Sequence, residues 1–177
     1  TPAGRIVRTQ SYSWGMAVAP DELRVALIRP NAIELVALGN GAASVRIPPY
    51  GEKLPEEMGK GTYMGVAFAA DGRHLYVGNA DSGEIKEIDL AAQRVARTFS
   101  IDGGGYQDSF VGDFVLDPAG TRIVALDQFN YRLVTIDAGS GKVLQSVRVG
   151  RNPFSVSLSP DGRQAWVTNV GMFEYPL

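Results

Sequence analysis

The chain has 177 residues, 45% of them apolar, and 17 Lys and Arg against 19 Asp and Glu give a net charge of −2. That length suffices for one domain burying roughly two thirds of its unfolded surface, and the scatter of both charge signs excludes the concentrated basic face that a nucleic acid or an anionic membrane requires. Cysteine is absent, which excludes disulfides, thiolate nucleophiles and zinc–sulfur sites, and no apolar run reaches the about 18 residues of a membrane span.

The predicted elements begin with a strand at Gly4–Thr9. The opening "TPAGRIVRTQ" holds neither methionine nor an apolar signal segment, as expected of a chain that lost a leader or tag or was cut from something longer. Four similar stretches then follow: "VAPDELRVAL" from Val18, "FAADGRHLYV" from Phe68, "LDPAGTRIVA" from Leu116 and "LSPDGRQAWV" from Leu158. Each is an apolar run, a turn and a second alternating run. Gly72, Gly120 and Gly162 share one turn position, 48 and 42 residues apart, and Pro20 and Pro118 lie 98 apart. Pro presets φ, Asp bonds back to local backbone and Gly accepts positive φ, so each stretch predicts a β-hairpin. The recurring Asp21, Asp71, Asp117 and Asp161 are assigned to these turns, and Asp89 and Asp137 to third-strand ends.

The second and third repeats show the whole unit. "MGVAFA", "HLYVGN", "EIKEIDL" and "VARTFSI" read as four strands, and so do "GDFVLD", "RIVALD", "RLVTID" and "VLQSVRV". No stretch has sustained helical periodicity. Four antiparallel strands per repeat of about 40–50 residues predict an all-β fold of β-propeller blades. The segment 4–20 parallels 141–160, which makes 4–9 the outer strand of a blade. Three full blades at about 11–48, 62–102 and 110–150 follow, then a partial blade at 154–177, all in one domain spanning 1–177. Two architectures fit. "MFEYPL" could serve as a third strand that, with 4–9, closes a ring of four. Pro176 would remove a ladder donor there, so the preferred expectation is about three and a half blades of a larger ring, with the natural chain continuing past Leu177.

The stretches "SPDGRQAWVTN" at 159–169, "AADGRHLYVGN" at 69–79 and "IDAGSGKVLQSVRVGRNP" at 136–153 resemble the YVTN, or lactonase-like, β-propeller family across essentially the whole chain. The resemblance implies a seven-bladed ring and an exported, periplasmic or extracellular, bacterial protein. "RVGRNPFSVSLSPDGRQAWVTNVGMFEYPL" is similar to the propeller part of proteins that also carry a phosphatase-like domain.

Candidate chemistry is sparse. His74, the one histidine, follows an Asp-Gly turn and has no second histidine for a metal pair. "NADSGE" at 79–84 has too few carboxylates for a calcium loop, "GSGK" at 139–142 is a hairpin turn without a strand–loop–helix context, and neither a quinone nor a metal cofactor finds a ligand cluster. Asp113 differs from other acids because it lies inside an innermost strand, where a channel ligand could meet it. Ligand sites gather where loops converge. The links between blades would place Tyr50, Tyr63, Tyr106, Gln107, Asp108, Arg151 and Asn152 at one end of the sheets. The turns between second and third strands would add Arg29, Asn31, Asn79, Asp127, Phe129, Asn130 and Asn169. Aromatics beside Asn, Arg and Asp suit a polar small ligand or a protein surface. The expected function is a non-catalytic binding or scaffold propeller within a longer chain that bears a hydrolase domain. Its partner is a protein or the rest of that chain, and the isolated chain is expected to self-associate. The alternative is a lactonase-like enzyme, which would need histidine, arginine and glutamate to converge on the channel.

Overall fold

The computed structural model describes residues 6, 7, 9, 12–29, 32–39, 43–48 and 63–171. The fold is all-β, and the one helical element among these residues is a 3-10 turn at Ala80–Ser82. No helix among them is long and apolar enough to cross a membrane.

Among the described residues fourteen strands form four antiparallel sheets. The first sheet contains β1 (Gly15–Val18), β2 (Arg24–Arg29), β3 (Ala32–Ala37) and β4 (Val45–Ile47). The second contains β5 (Val66–Phe68), β6 (His74–Asn79), β7 (Glu84–Asp89) and β8 (Arg94–Ser100). The third contains β9 (Val111–Leu116), β10 (Arg122–Asp127), β11 (Arg132–Asp137) and β12 (Val143–Arg148). The fourth has two strands, β13 (Arg151–Leu158) and β14 (Ala165–Gly171). Each full sheet is a meander in chain order, an arrangement compatible with propeller blades. The expected outer strand at 4–9 falls partly, and "MFEYPL" wholly, outside the described residues.

One turn chemistry starts every sheet. The N–H of Gly72, Gly120 and Gly162 donates to the carbonyl three residues back, at 2.8–2.9 Å, with φ of +64°, +67° and +68°. Glu22 makes the same bond to Ala19 at 2.9 Å with φ +55°, so the first repeat holds the left-handed residue without glycine. Asp21, Asp71 and Asp161 accept from the N–H two residues on, those of Leu23, Arg73 and Arg163. Asp117 departs from the predicted equivalence. It stands two positions earlier in its turn, where the fourth repeat has Ser159, and accepts from the N–H groups of Thr121 and Arg122 while Ser159 Oγ accepts from Gln164 N–H.

The sheets stack in chain order, their first strands standing side by side as β1, β5, β9 and β13. Ile28, Ile33 and Ile47 of the first sheet pack on Leu75, Val77 and Ile88 of the second. Ile85 and Phe99 of the second pack on Phe114, Ile123 and Ile136 of the third. Val124 and Leu126 pack on Val156 of the fourth. Each such side chain, fully buried, contributes about 1.5–3 kcal/mol, and β-branched residues suit the pleat. Glycines let the first strands converge: Gly65 N–H donates to the Gly112 carbonyl at 3.1 Å, and a Cβ on Gly65 would lie 2.5 Å from the Phe114 ring. At the two ends of the stack apolar side chains stay uncovered, Met16 and Val18 on β1 and Trp166 and Val170 on β14.

Candidate functional site

A polar residue stands at or near the end of every second strand: Arg29, Asn79 and Asp127 close β2, β6 and β10, and Asn169 lies two positions before the end of β14. Each lies in the second half of an apolar second strand, at the end where a link between sheets passes. In the first sheet buried Arg29 pairs with Glu34, five residues on, and donates to the Tyr12 carbonyl at 3.1 Å. In the third sheet Asp127 and Arg132, also five apart, form a fully buried pair at 2.8 Å with the charges exchanged.

The Asp127 carboxylate also accepts from Phe110 N–H at 3.1 Å and from the Asn130 carboxamide at 2.8 Å. Arg132 donates to the Ile101 carbonyl at 2.7 Å and to Ser109 Oγ at 3.2 Å, and its guanidinium lies 4.1 Å from the centre of the Tyr106 ring. Burial opposes ionisation of Asp127, but Arg132, Asn130, Ser109 and Phe110 N–H outweigh it and hold its carboxyl below the usual carboxylate range. This network ties the Gly-rich link at 101–110 down onto the sheet. In the second and fourth sheets Asn79 and Asn169 take the place of the charges, and the Oδ1 of each is buried without a hydrogen-bond partner.

These strand ends position a line of aromatic rings. Tyr12 and Trp14 precede β1, Tyr63 precedes β5, Phe110 precedes β9, and Phe129 stands in the β10–β11 turn. Successive ring centres are 6.0 Å (Tyr12–Trp14), 5.6 Å (Trp14–Tyr63), 5.3 Å (Tyr63–Phe110) and 4.9 Å (Phe110–Phe129). Arg29 holds the Tyr12 carbonyl, the Gly78 carbonyl accepts from Tyr63 N–H at 3.3 Å, and Asp127 holds Phe110 N–H. At its far end the line opens into a cleft of about 260 Å³ lined by Tyr63, Gln128, Phe129, Asn152, Phe154 and Val170.

The predicted site residues divide accordingly. Tyr63, Phe129 and Asn152 meet at the cleft. Tyr106, Asp127 and Asn130 meet around Arg132, and Asn130 also donates to the Gln107 carbonyl at 3.1 Å. Asp108 is exposed at φ +52° on the same link. Arg151 is exposed opposite Gly171. Asn169 packs over Gly150, where a Cβ would come within 2.8 Å of it. Tyr50 and Asn31 lie outside the described residues. Asp113 is engaged elsewhere, accepting from Ser155 Oγ at 2.8 Å and Val156 N–H at 3.1 Å and so tying β9 to β13. His74 sits at the opposite end of β6 from Asn79, its Nδ1 2.8 Å from Asp71 Oδ2. Tyr12, Trp14, Phe110, Gln128 and Phe154 had not been singled out. For the four rings the signal is an aromatic residue shortly before or within each first strand; Gln128, in the β10–β11 turn, carries none.

No family model and no curated protein matches the chain. Among solved structures it is similar to the hydrazine synthase of Kuenenia stuttgartiensis. The TM-score is 0.70 at 17% identity, over 97% of this chain and 46% of that one. At that identity the likeness is one of fold. The chain spans just under half the length of the chain it matches.

Proposed function

We propose that the chain is a β-propeller segment of the YVTN, lactonase-like kind and that it works as a non-catalytic binding platform. In this reading it belongs to a larger ring, seven-bladed by resemblance, in an exported bacterial protein that also bears a hydrolase domain. The meander sheets stacked through their first strands support the propeller assignment, and the uncovered Met16, Val18, Trp166 and Val170 give further sheets or a partner apolar surface to cover. The observation that carries the binding role is the aromatic line ending in the cleft. Exposed Tyr12, Trp14 and Phe129 and half-buried Tyr63 and Phe110, held by buried polar anchors, form a preorganised contact surface.

A saturation-transfer NMR screen of a fragment library tests the reading. Fragments should receive saturation from the protein, and Tyr63→Ala with Phe129→Ala should remove most of those signals while far-UV circular dichroism stays unchanged. A screen whose hits are indifferent to both substitutions sinks the platform reading. Turnover of a lactone that disappears in His74→Ala would replace it with the enzymatic alternative.

A further inference from the structure

We propose that the cleft between the third and fourth sheets binds a ring of a neutral oligosaccharide, whose following units lie along the aromatic line toward Trp14. The inference rests on the platform reading and adds the class of ligand.

Three features of the cleft select that class. First, three aromatic side chains, Tyr63, Phe129 and Phe154, supply its walls. An aromatic face is an apolar surface with a negative quadrupole, and it suits the C–H-bearing face of a pyranose. Second, Gln128 and Asn152 are the polar side chains lining it, and neither side chain hydrogen-bonds to another described residue. A carboxamide offers two donors and an acceptor, so it can serve hydroxyl groups, which both give and take a proton. Glycines make room for both amides. A Cβ on Gly112 would come within 2.7 Å of the Gln128 carboxamide, and one on Gly171 within 3.1 Å of Asn152 Nδ2. Third, no charged side chain lines the cleft among the described residues. Of the nearby charges, Asp127 and Arg132 are buried and spent on each other, and the exposed Arg151 beside Asn152 is not part of the lining. Phosphates, carboxylated sugars and cationic ligands therefore find no counter-charge on the cleft walls, whereas a neutral polyol needs none.

The line of rings extends the site. From Phe129 it continues through Phe110 and Tyr63 to Trp14 and Tyr12, with neighbours 4.9–6.0 Å apart. A ligand with one repeating face can use such a line at successive points, so affinity should rise with chain length.

Trp14, in contact with Tyr63, is the reporter. The chain is titrated with cellohexaose, chitohexaose and maltohexaose, with hexagalacturonate as the anionic control and decaproline as the peptide control, following tryptophan fluorescence and calorimetric heat. At least one neutral hexasaccharide should bind saturably and more tightly than its dimer, and hexagalacturonate should not bind. Phe129→Ala and Gln128→Ala should each weaken that binding by about tenfold, with unfolding midpoints confirming that both variants fold. Trp166→Ala, on the uncovered face of β14, should leave affinity unchanged. Binding of decaproline alone, sensitive to Phe129→Ala, overturns the sugar assignment and leaves the platform standing. Silence of all five probes, or affinity indifferent to both cleft substitutions, overturns the inference. The NMR screen then decides the platform separately.

Discussion

Replacing Asp127 by alanine removes the acceptor at the centre of the third sheet's buried network. It leaves the Arg132 guanidinium, 1% exposed, without its counter-charge, and it strips Phe110 N–H and the Asn130 carboxamide of an acceptor. Breaking a buried pair from one side costs about 3–5 kcal/mol, a large share of the about 5–15 kcal/mol that holds a domain together. With a urea m-value of about 2 kcal/mol/M, the midpoint should fall by about 2 M. Equilibrium urea unfolding followed by circular dichroism measures this for Asp127→Ala, Arg132→Met and the double variant. The double variant removes the stranded charge and leaves mainly neutral orphans, such as the Ile101 carbonyl. It should therefore lose less than the sum of the singles, by at least about 1 kcal/mol. Additive losses, or a cost for Asp127→Ala below about 1 kcal/mol, would refute a coupled buried network.

Other consequences are open to simpler measurements. The folded Asp127 carboxyl lies below its unfolded value of 3.8, so its stabilisation is present above that pH and is lost as pH falls through the folded value. The wild-type midpoint should accordingly drop more steeply below pH 4 than that of the double variant, and parallel curves would contradict the assignment. Gly162→Ala should destabilise more than Gly120→Ala. Both sit in the left-handed region, at a cost of about 1–2 kcal/mol for a side chain, but only at Gly162 would the Cβ meet a neighbour, Pro118 at 2.9 Å. Glu22→Gly relieves that strain in the first repeat and should raise the midpoint slightly, and a lowered one would argue against strain there. Asp113→Ala should cost about 1–3 kcal/mol by orphaning Val156 N–H and Ser155 Oγ at the β9–β13 contact, with binding at the cleft unchanged.

The hairpins were legible because one turn chemistry repeats: three glycines at one position and Asp or Pro before them mark both strands on either side. The exception at Glu22 was hidden, since nothing local announces a left-handed glutamate. Asp117 looked equivalent to Asp161 because both are acids in similar turns, and only the hydrogen bonds separate their positions. At the site, Tyr63 and Phe129 could be assigned to one end from loop geometry alone. That Phe110 bridges them could not, because Tyr63 and Phe110 come from different links and meet only once the second and third sheets have stacked. The anchoring role of Asp127 was equally invisible. It depends on Arg132 across the turn and on a link that folds back from residue 110.

The exchanged charges at Arg29–Glu34 and Asp127–Arg132 bear on how a chain of look-alike hairpins sorts itself. A growing chain offers each second strand several third strands of similar pattern, and a wrong partner would satisfy the backbone nearly as well as the right one. In the native register Asp127 stands directly opposite Arg132, whereas Arg29 stands opposite Ala32 and reaches Glu34 two positions on. Setting β2 against β11 would bring Arg29 opposite Arg132, and setting β10 against β3 would bring Asp127 within the same diagonal reach of Glu34. Either error traps two like charges away from water. The two pairs thus act as addresses written in opposite ink, penalising the mispairings that an exact repeat would invite.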